Sequence, residues 1–549
     1  MFVTDGSERR PERGHNGGMV PPTSSAVASA PSTAPVADSE SAASGLPVRP
    51  PWRDTLRSLW DRRVLAMLFL GFTAGLPILL IFSSLSLWLV EAGVERKAVT
   101  FFSWAALGYS FKFIWAPLVD RLPLPLLTRW MGRRRAYLLL AQLGVIAAIV
   151  GMASTDPASG GASLTAMALF AVMLGFMSAT QDIVIDAYRI EIAPPDLQGV
   201  LSSAYIAGYR IGMIVAGAGA LFLAAHWGSA REVYVYTAWQ QAYLVMALAM
   251  GVGVLTTLLI REPVVAEREP EPSGAHARLL AVFVCAVLGF VGVFWSWGQW
   301  LSPSEPGPLL GLLVEALRMG AALAVAFGIG ALLVYAGLAS RDQARETWVL
   351  PVLDFFRRYG TRTAWLLLAL IGLYRISDIV LGVISNVFYQ DIGFSKTEIA
   401  YAVKTFGVVV AIAGGFVGGL LTTRIGVMRS LFWGALLAAL TNLAFVWLAF
   451  AGHDVQLMYA VVAADNLAAG FASAAFVAFL SSLTNVSFTA VQYAIFSSLM
   501  TLLPKSLGGY SGGMVDVLGY PGFFMLTTLM GLPVLVLVIM AKRLLPVGR

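Results

Sequence analysis

The apolar run that begins near Ser163 ends in the stretch Ala179-Thr180-Gln181-Asp182-Ile183-Val184-Ile185-Asp186-Ala187-Tyr188-Arg189. Asp182 and Asp186 are four residues apart and therefore share one face of a helix. A run of this length and polarity is typical of a membrane-spanning helix, in which ionisable side chains are costly and usually functional. The stretch predicts a membrane protein with a functional site inside the bilayer.

The composition of the whole chain supports this prediction. Of its 549 residues, 58% are hydrophobic and 12% are charged, and the mean hydropathy is +0.76. Soluble domains hold about 45–50% apolar and about 25% charged residues. The net charge of +6 comes from Lys and Arg in short loops, so we expect no nucleic-acid partner. A single cysteine and four scattered histidines give no disulfide and no metal-ligand spacing, and we expect neither metal nor cofactor.

Fourteen apolar runs alternate with short polar breaks along the chain. Each run is long enough to cross the hydrocarbon core of a bilayer, which takes about 20 helical residues. Two sets of six runs flank two inserted ones. The runs lie near 64–90, 97–118, 136–154, 163–186, 199–226 and 238–260, then 279–300 and 309–338, then 364–389, 397–421, 427–450, 457–481, 488–513 and 520–541.

These runs divide the chain into four regions. Residues 1–55 are rich in Ser, Ala, Pro and Gly and predict a disordered cytoplasmic tail. Residues 56–262 predict a first six-helix bundle, 263–362 a cytoplasmic linker that holds the two inserted helices, and 363–549 a second six-helix bundle. Lys and Arg concentrate in loops on one side of the membrane, so the positive-inside rule places that side and both termini in the cytoplasm.

The two bundles carry traces of an internal repeat. Ser202, Ser203 and Arg210 stand 295 positions before Ser497, Ser498 and Lys505. A parallel duplication of six spans is the plan of the major facilitator superfamily. The sequence therefore predicts an all-α polytopic protein of that fold, with two extra helices between the bundles.

The loop after the second run supports this fold. It resembles the Asp-Arg…Gly-Arg-Arg loop signature of the same superfamily, with a longer spacer than usual. We expect the loop residues to take part in conformational change. They are Asp120, Arg121, Gly132, Arg133 and Arg134.

Asp182 and Asp186 are the first candidates for proton coupling. Two carboxyls one helical turn apart repel each other when both are ionised, so we expect them to gain and lose protons as a coupled pair. Asp186 has a second interpretation, a salt bridge with Arg189 near the cytoplasmic end of the helix. Asp378 is the third candidate, and its alternative is a structural pair with Arg375 at i,i+3.

Seven polar residues are candidates for substrate binding. Arg210 either pairs with Asp182 on the neighbouring run or clamps a substrate carboxylate. Amide side chains suit sugar hydroxyls and acetamido groups. Lys112, near the cytoplasmic end of its run, either snorkels, which we expect, or contacts the substrate. The substrate-binding candidates are Tyr109, Gln181, Arg210, Arg375, Lys404, Asp465 and Asn466.

From about residue 60 to the C-terminus, the chain resembles the AmpG-type anhydromuropeptide permeases of the major facilitator superfamily. Several motifs in the same order carry the resemblance. They are 71–77 (GFTAGLP), 111–121 (FKFIWAPLVDR), 178–187 (SATQDIVIDA), 208–213 (GYRIGM), 373–378 (LYRISD), 404–407 (KTFG) and 474–478 (AAFVA).

This resemblance implies a proton-coupled importer of N-acetylglucosaminyl-1,6-anhydro-N-acetylmuramyl peptides. It implies a monomer in the lipid bilayer of the bacterial inner membrane that works by alternating access. The wider group also contains carriers of acetyl-CoA, peptides or siderophore-like solutes, so a different cargo is the alternative. We do not expect an enzyme, because no nucleophile-base pair, metal cluster or phosphate-binding loop has a recognisable spacing.

Overall fold

The computed structural model describes residues 57–94, 102, 109, 111–230, 233–264, 274–300, 308–508 and 511–545. The predicted tail, 1–55, and much of the second predicted run, 97–118, lie outside these ranges. The regular secondary structure of the described chain is helical, apart from one isolated bridge between Ala230 and Val233. Helices are expected here because lipid offers no hydrogen-bond partner, so each backbone polar group must be satisfied within its own segment.

Thirteen helices of the described chain are long and apolar enough to cross a membrane. They correspond to thirteen of the fourteen predicted runs. Of the second run, the described part forms a 3-10 turn, Lys112–Ile114, and a short helix, Ala116–Arg121. The thirteen are α1 (Arg62–Glu91), α2 (Arg133–Ala153), α3 (Gly161–Glu191), α4 (Gln198–His226), α5 (Tyr236–Leu259), α6 (Ala275–Trp297), α7 (Leu317–Tyr335), α8 (Thr361–Ser385), α9 (Ala400–Ile425), α10 (Val427–Ala451), α11 (Val455–Leu483), α12 (Val486–Lys505) and α13 (Ser511–Leu544).

The two inserted helices, α6 and α7, are peripheral to both bundles. They pack against each other, and only 11% and 6% of their most apolar windows are buried. Leu279 and Val282 of α6 reach the core of the first bundle. The first bundle consists of α1–α5 with the described part of the second run, and the second bundle of α8–α13. The inserted pair is therefore peripheral, yet its α6 helix contributes buried side chains to the core of the first bundle.

Glycines let the helices of each bundle approach closely. A Cβ atom on Gly208 of α4 would lie 1.9 Å from the carbonyl oxygen of Leu68 on α1. In the second bundle, a Cβ on Gly470 of α11 would lie 2.1 Å from the carbonyl oxygen of Ala411 on α9. Small residues permit such backbone contact between membrane helices. These crossings therefore require glycine.

We expect Gly208→Ala to destabilise the protein by about 1–3 kcal/mol, the usual cost of overpacking a close contact. The matched control is Gly251→Ala on α5, where the added Cβ meets no atom within 4 Å. The measurement is the thermal unfolding midpoint of each purified protein in detergent. Equal midpoints for the two variants would contradict the packing argument.

Several membrane-spanning helices contain irregular segments, and two of these segments hold a charged residue, Lys404 or Arg375. α1, α4 and α9 contain π-helical segments at Leu80–Ser84, Val215–Gly219 and Ala400–Phe406, and the last holds Lys404. α8 is interrupted at Arg375, whose φ and ψ are −97° and 9°. Such irregularities are frequent at functional sites, and discontinuous helices form the binding sites of many transporters.

Candidate functional site

One group of buried charges lies between α3 and the end of the second run. Lys112 Nζ is 3.9 Å from Asp182 Oδ2 and 3.7 Å from Asp186 Oδ2. Arg189 Nη2 is 3.3 Å from Asp186 Oδ1. None of the four residues is more than 8% exposed. We call Lys112, Asp182, Asp186 and Arg189 the lysine cluster; its two cations balance its two carboxylates when all are ionised.

The two aspartates of this cluster have unequal surroundings. Each carboxylate oxygen of Asp186 faces a cation, Lys112 on one side and Arg189 on the other. Asp182 shares Lys112 at the longer distance, and its Oδ1 has no hydrogen-bond partner among the described residues. Loss of charge at Asp182 therefore breaks fewer contacts than loss of charge at Asp186.

The structure corrects two interpretations of this region. The prediction that Lys112 snorkels is wrong. Its ammonium group lies inside the protein, where the carboxylates of Asp182 and Asp186 are its partners in place of water. The pairing of Arg210 with Asp182 is also wrong, because Lys112 occupies that place and Arg210 interacts with the second bundle. The ion pair between Asp186 and Arg189 is present.

A second group of charges lies where α4 faces the second bundle. Arg375 Nε lies 3.2 Å from Asp378 Oδ2, an ion pair without hydrogen-bond alignment, and Arg375 Nη1 donates to Ser473 Oγ at 2.8 Å. Arg210 interacts electrostatically with Arg375, Asp378 and Asp465. We call Arg210, Arg375, Asp378 and Asp465 the arginine cluster. Because Arg210 belongs to the first bundle and the other three to the second, this cluster spans both bundles.

Neutral polar residues of the first bundle accompany the lysine cluster on α3. Gln181 Nε2 donates to Thr73 Oγ1 at 3.3 Å, while Gln181 Oε1 has no partner within the described ranges. The hydroxyls of Tyr109 and Ser178 are hydrogen-bonded to each other. Gln181 is fully buried, so its amide oxygen is an unpaired acceptor inside the protein that a hydroxyl or N–H donor could reach only after the helices move.

Two predicted residues of the second bundle lie outside the arginine cluster. Asn466 Nδ2 donates to the carbonyl oxygen of Val462 on its own helix at 3.0 Å. Lys404 is exposed and has no ion-pair partner in the described part of the chain. An unpaired ammonium group at membrane depth must contact water or a ligand. The described residues also contain no group of three His, Cys, Asp or Glu residues placed to hold a metal ion.

Arg189 connects the lysine cluster to the second bundle. Its Nη1 donates to Ser202 Oγ at 3.2 Å and to Ser481 Oγ of α11 at 2.7 Å. Its guanidinium carbon lies 5.1 Å from the ring centroid of Tyr493 on α12. Arg189, the cation that pairs with Asp186, therefore also joins the two bundles. Its position in the sequence does not predict this second role.

The bundles are also in close backbone contact beside Arg189. Ser203 Oγ of α4 donates to the carbonyl oxygen of Gly415 on α9 at 2.7 Å. A Cβ on Gly199 would lie 2.7 Å from the carbonyl oxygen of Gly419. α4 begins and α9 ends in this region, so the contact closes one end of the space between the bundles.

The predicted loop signature lies at the same closed end. Arg134 Nη2 is 2.8 Å from Asp120 Oδ1, and Arg133 donates to the Asp120 carbonyl oxygen. Asp120 Oδ2 accepts from the backbone N–H of Val491 at 3.1 Å, near the start of α12. Gly132 has a φ of 84°, a conformation that favours glycine. The signature thus holds the first bundle against the N-terminal end of a helix from the second.

The same loop contacts the residue just before the linker between the bundles and a residue near the far end of that linker. Glu262 accepts from the backbone N–H groups of Arg134 and Arg135 at 2.7 and 3.0 Å. Arg121 Nη1 donates to Thr347 Oγ1 at 3.0 Å. Glu262 lies in the loop just after α5, and nothing in its position in the sequence predicts this contact.

Comparisons with known proteins agree with the motifs. The sequence profile of the Major Facilitator Superfamily matches residues 98–374. The chain is 29% identical over 495 residues to the anhydromuropeptide permease of Escherichia coli, which covers 90% of this chain and 82% of that protein. It is 29% identical over 475 residues to putative transporter AmpG 4 of Rickettsia conorii, with coverages of 86% and 95%.

Two solved structures share the fold. The chain matches FucP, a major facilitator superfamily transporter in the outward conformation, with a TM-score of 0.55 and 11% identity over 88% of this chain and 99% of that one. It matches the proton:xylose symporter XylE with a TM-score of 0.52 and 14% identity over 88% and 95% of the two chains.

Proposed function

Because the chain belongs to the major facilitator superfamily and is a membrane transporter rather than an enzyme, we propose that it imports N-acetylglucosaminyl-1,6-anhydro-N-acetylmuramyl peptides together with protons. The substrate class is supported by the similarity to an anhydromuropeptide permease over 90% of the chain. The coupling rests on one observation, the lysine cluster, which places two carboxylates inside a membrane-spanning helix. Ionisable groups at that depth are typical of proton relays.

The chemistry of a muropeptide fits the groups that the two bundles offer. Its peptide carboxylates are matched by Lys404, which is exposed, and by Arg210, whose Nε has no hydrogen-bond partner among the described residues. Its acetamido N–H groups and sugar hydroxyls suit the unpaired Oε1 of Gln181, which is buried here and would become accessible only when the helices around it move. A guanidinium group binds carboxylates in a fork geometry, so Arg210 would orient the peptide as well as attract it.

We infer a sequence of events that links the proton to the closed end. When Asp182 takes up a proton, it no longer attracts Lys112, which is then free to pair with Asp186 alone. Lys112 then moves closer to Asp186 and neutralises more of its charge, which weakens the attraction between Asp186 and Arg189 and with it the position of Arg189 against Ser481. Loosening of this contact favours separation of the bundles at that end, as alternating access requires.

The proposed site of action is the bacterial inner membrane, with the protein as a monomer. The closed end carries the basic loop residues Arg129, Arg133 and Arg135, and the positive-inside rule assigns that end to the cytoplasm. Both termini are then cytoplasmic. In this orientation the described conformation is sealed toward the cytoplasm, which suits the capture of a periplasmic substrate.

The direct test is uptake of a labelled anhydromuropeptide into right-side-out membrane vesicles that contain the protein. We expect uptake that stops when a protonophore collapses the gradient and that unlabelled anhydromuropeptide inhibits. Acetyl-CoA, free peptides and siderophores serve as competitors that should have no effect. Gradient-independent uptake would contradict proton coupling, and inhibition by one of the other solutes alone would contradict the substrate class.

A further inference from the structure

A groove on the outside of the second bundle shares no residue with either charged cluster. It lies between the start of α10 and the end of α13 and has a volume of about 590 Å³. Its lining residues are Arg429, Phe432, Trp433, Val538, Ile539, Lys542 and Arg543. Three of these seven residues are cations and the other four are apolar.

The cations and the apolar residues of this groove lie at different depths. On α10, Arg429 precedes Phe432 and Trp433 by about one helical turn. On α13 the order is reversed, and the apolar pair precedes Lys542 and Arg543 by about one turn. Because one helix starts where the other ends, both place their cations at the membrane surface and their apolar residues about 5.4 Å deeper. The lining has the pattern of an amphiphile, with a polar head and an apolar tail.

The cations of the groove lack a counter-charge in the described chain. Arg429, Lys542 and Arg543 are exposed, and none has a hydrogen-bond or ion-pair partner among the described residues. α10 begins without an acidic residue in its first turn and without a side-chain cap, so its positive end adds to the field at Arg429, while the negative end of α13 offsets only part of the charge of Lys542 and Arg543 in its last turn. Like charges grouped in this way are stabilised by a bound anion.

We propose that this groove binds the phosphate headgroup of an anionic phospholipid, with the acyl chains lying along Trp433 and Ile539. Basic pockets between membrane helices on the cytoplasmic side suit such headgroups. Trp433 and Ile539 are 49% and 42% exposed, which leaves apolar surface for acyl chains. A free phosphate ester offers the same headgroup chemistry but has no chain to cover this surface, so the occupant is a lipid.

The experiment titrates lipids into the purified full-length protein in uncharged detergent and measures binding by native mass spectrometry and the thermal midpoint. The probes are phosphatidylglycerol, phosphatidylcholine, glycerol 3-phosphate and inorganic phosphate. The test variant is R429Q/K542Q/R543Q. The matched control is R129Q/R345Q/R357Q, which removes the same charge from exposed arginines outside the groove.

We expect saturable binding and stabilisation by phosphatidylglycerol alone among the four probes. The test variant should lose on the order of 100-fold in apparent affinity, about fivefold for each cation, while the control keeps the affinity of the parent protein. If the triple variant cannot be purified, Arg429→Gln and Lys542→Gln are tested singly, each with an expected loss of about fivefold.

Three results would overturn the proposal. Equal binding of phosphatidylcholine would remove the selectivity for an anionic headgroup. The same stabilisation by inorganic phosphate or glycerol 3-phosphate would identify a soluble anion as the occupant. An equal loss in the control variant would show a general effect of surface charge. The readout is lipid binding and not uptake, so it is independent of the cargo; only the leaflet rests on the proposed orientation.

Discussion

Replacement of Asp182 by Asn is expected to abolish accumulation of substrate driven by a pH gradient, while exchange of substrate across the membrane continues. The amide cannot carry a proton, but it keeps the size of the side chain. Lys112 remains close to Asp186 at 3.7 Å, so the cluster keeps a partner for its lysine. The measurement compares gradient-driven uptake with counterflow in proteoliposomes that contain the same variant.

Two further variants make this result specific. Asp342→Asn removes an exposed carboxylate outside both clusters and should leave both activities unchanged. Asp186→Asn should reduce accumulation and counterflow together, because it deprives Lys112 and Arg189 of the carboxylate that they share. Normal gradient-driven uptake by Asp182→Asn would exclude this residue as the proton carrier.

Replacement of Arg189 by Gln is expected to open the closed end of the protein. Loss of one partner from a buried charge pair costs about 3–5 kcal/mol, and each 1.4 kcal/mol changes a population about tenfold. The reporter is a cysteine in place of Ala494, which is 1% exposed and packs against the first bundle, in a Cys285→Ser background. We expect the Arg189→Gln change to raise the rate of maleimide labelling in detergent at least about tenfold.

Arg358→Gln is the matched control for this experiment. Arg358 also forms an ion pair, with Asp354 at 2.9 Å, but its ion-pair and hydrogen-bond partners among the described residues, Asp354, Leu483 and Gln492, belong to the linker end or the second bundle. Its loss should therefore leave the contact between the bundles intact and labelling slow. An Arg189→Gln protein that reacts as slowly as its parent would show that Arg189 does not hold this end closed.

The helices were accessible to sequence reasoning because each depends on its own residues. Apolar length alone predicts a span, and α3 and α11 follow the predicted runs to within a few residues. The loop signature was also predictable, since Asp120 and Arg134 are close along the chain and come from one local pattern.

The site was predictable only in part, because its geometry depends on contacts between distant runs. Asp182 stood out as a charge in an apolar run, yet nothing in its own helix indicates that Lys112 lies opposite it. The i,i+3 spacing of Asp186 and Arg189 predicts their ion pair. No sequence pattern predicts the hydrogen bond from Arg189 to Ser481, which follows 292 positions later. Pairing across bundles is decided by packing, and hydropathy patterns do not encode it.

Because the loop after the second run contacts both ends of the linker, the length of the linker does not determine how far apart the bundles lie. Glu262, just before the linker, binds the N-terminus of α2, and Arg121 binds Thr347 near the far end of the linker. The chain leaves and returns at one short loop, so what lies between does not set the distance between the bundles. Excision of the α6–α7 hairpin is therefore expected to leave the spacing of the bundles unchanged, while it uncovers the surface of the first bundle that Leu279 and Val282 bury.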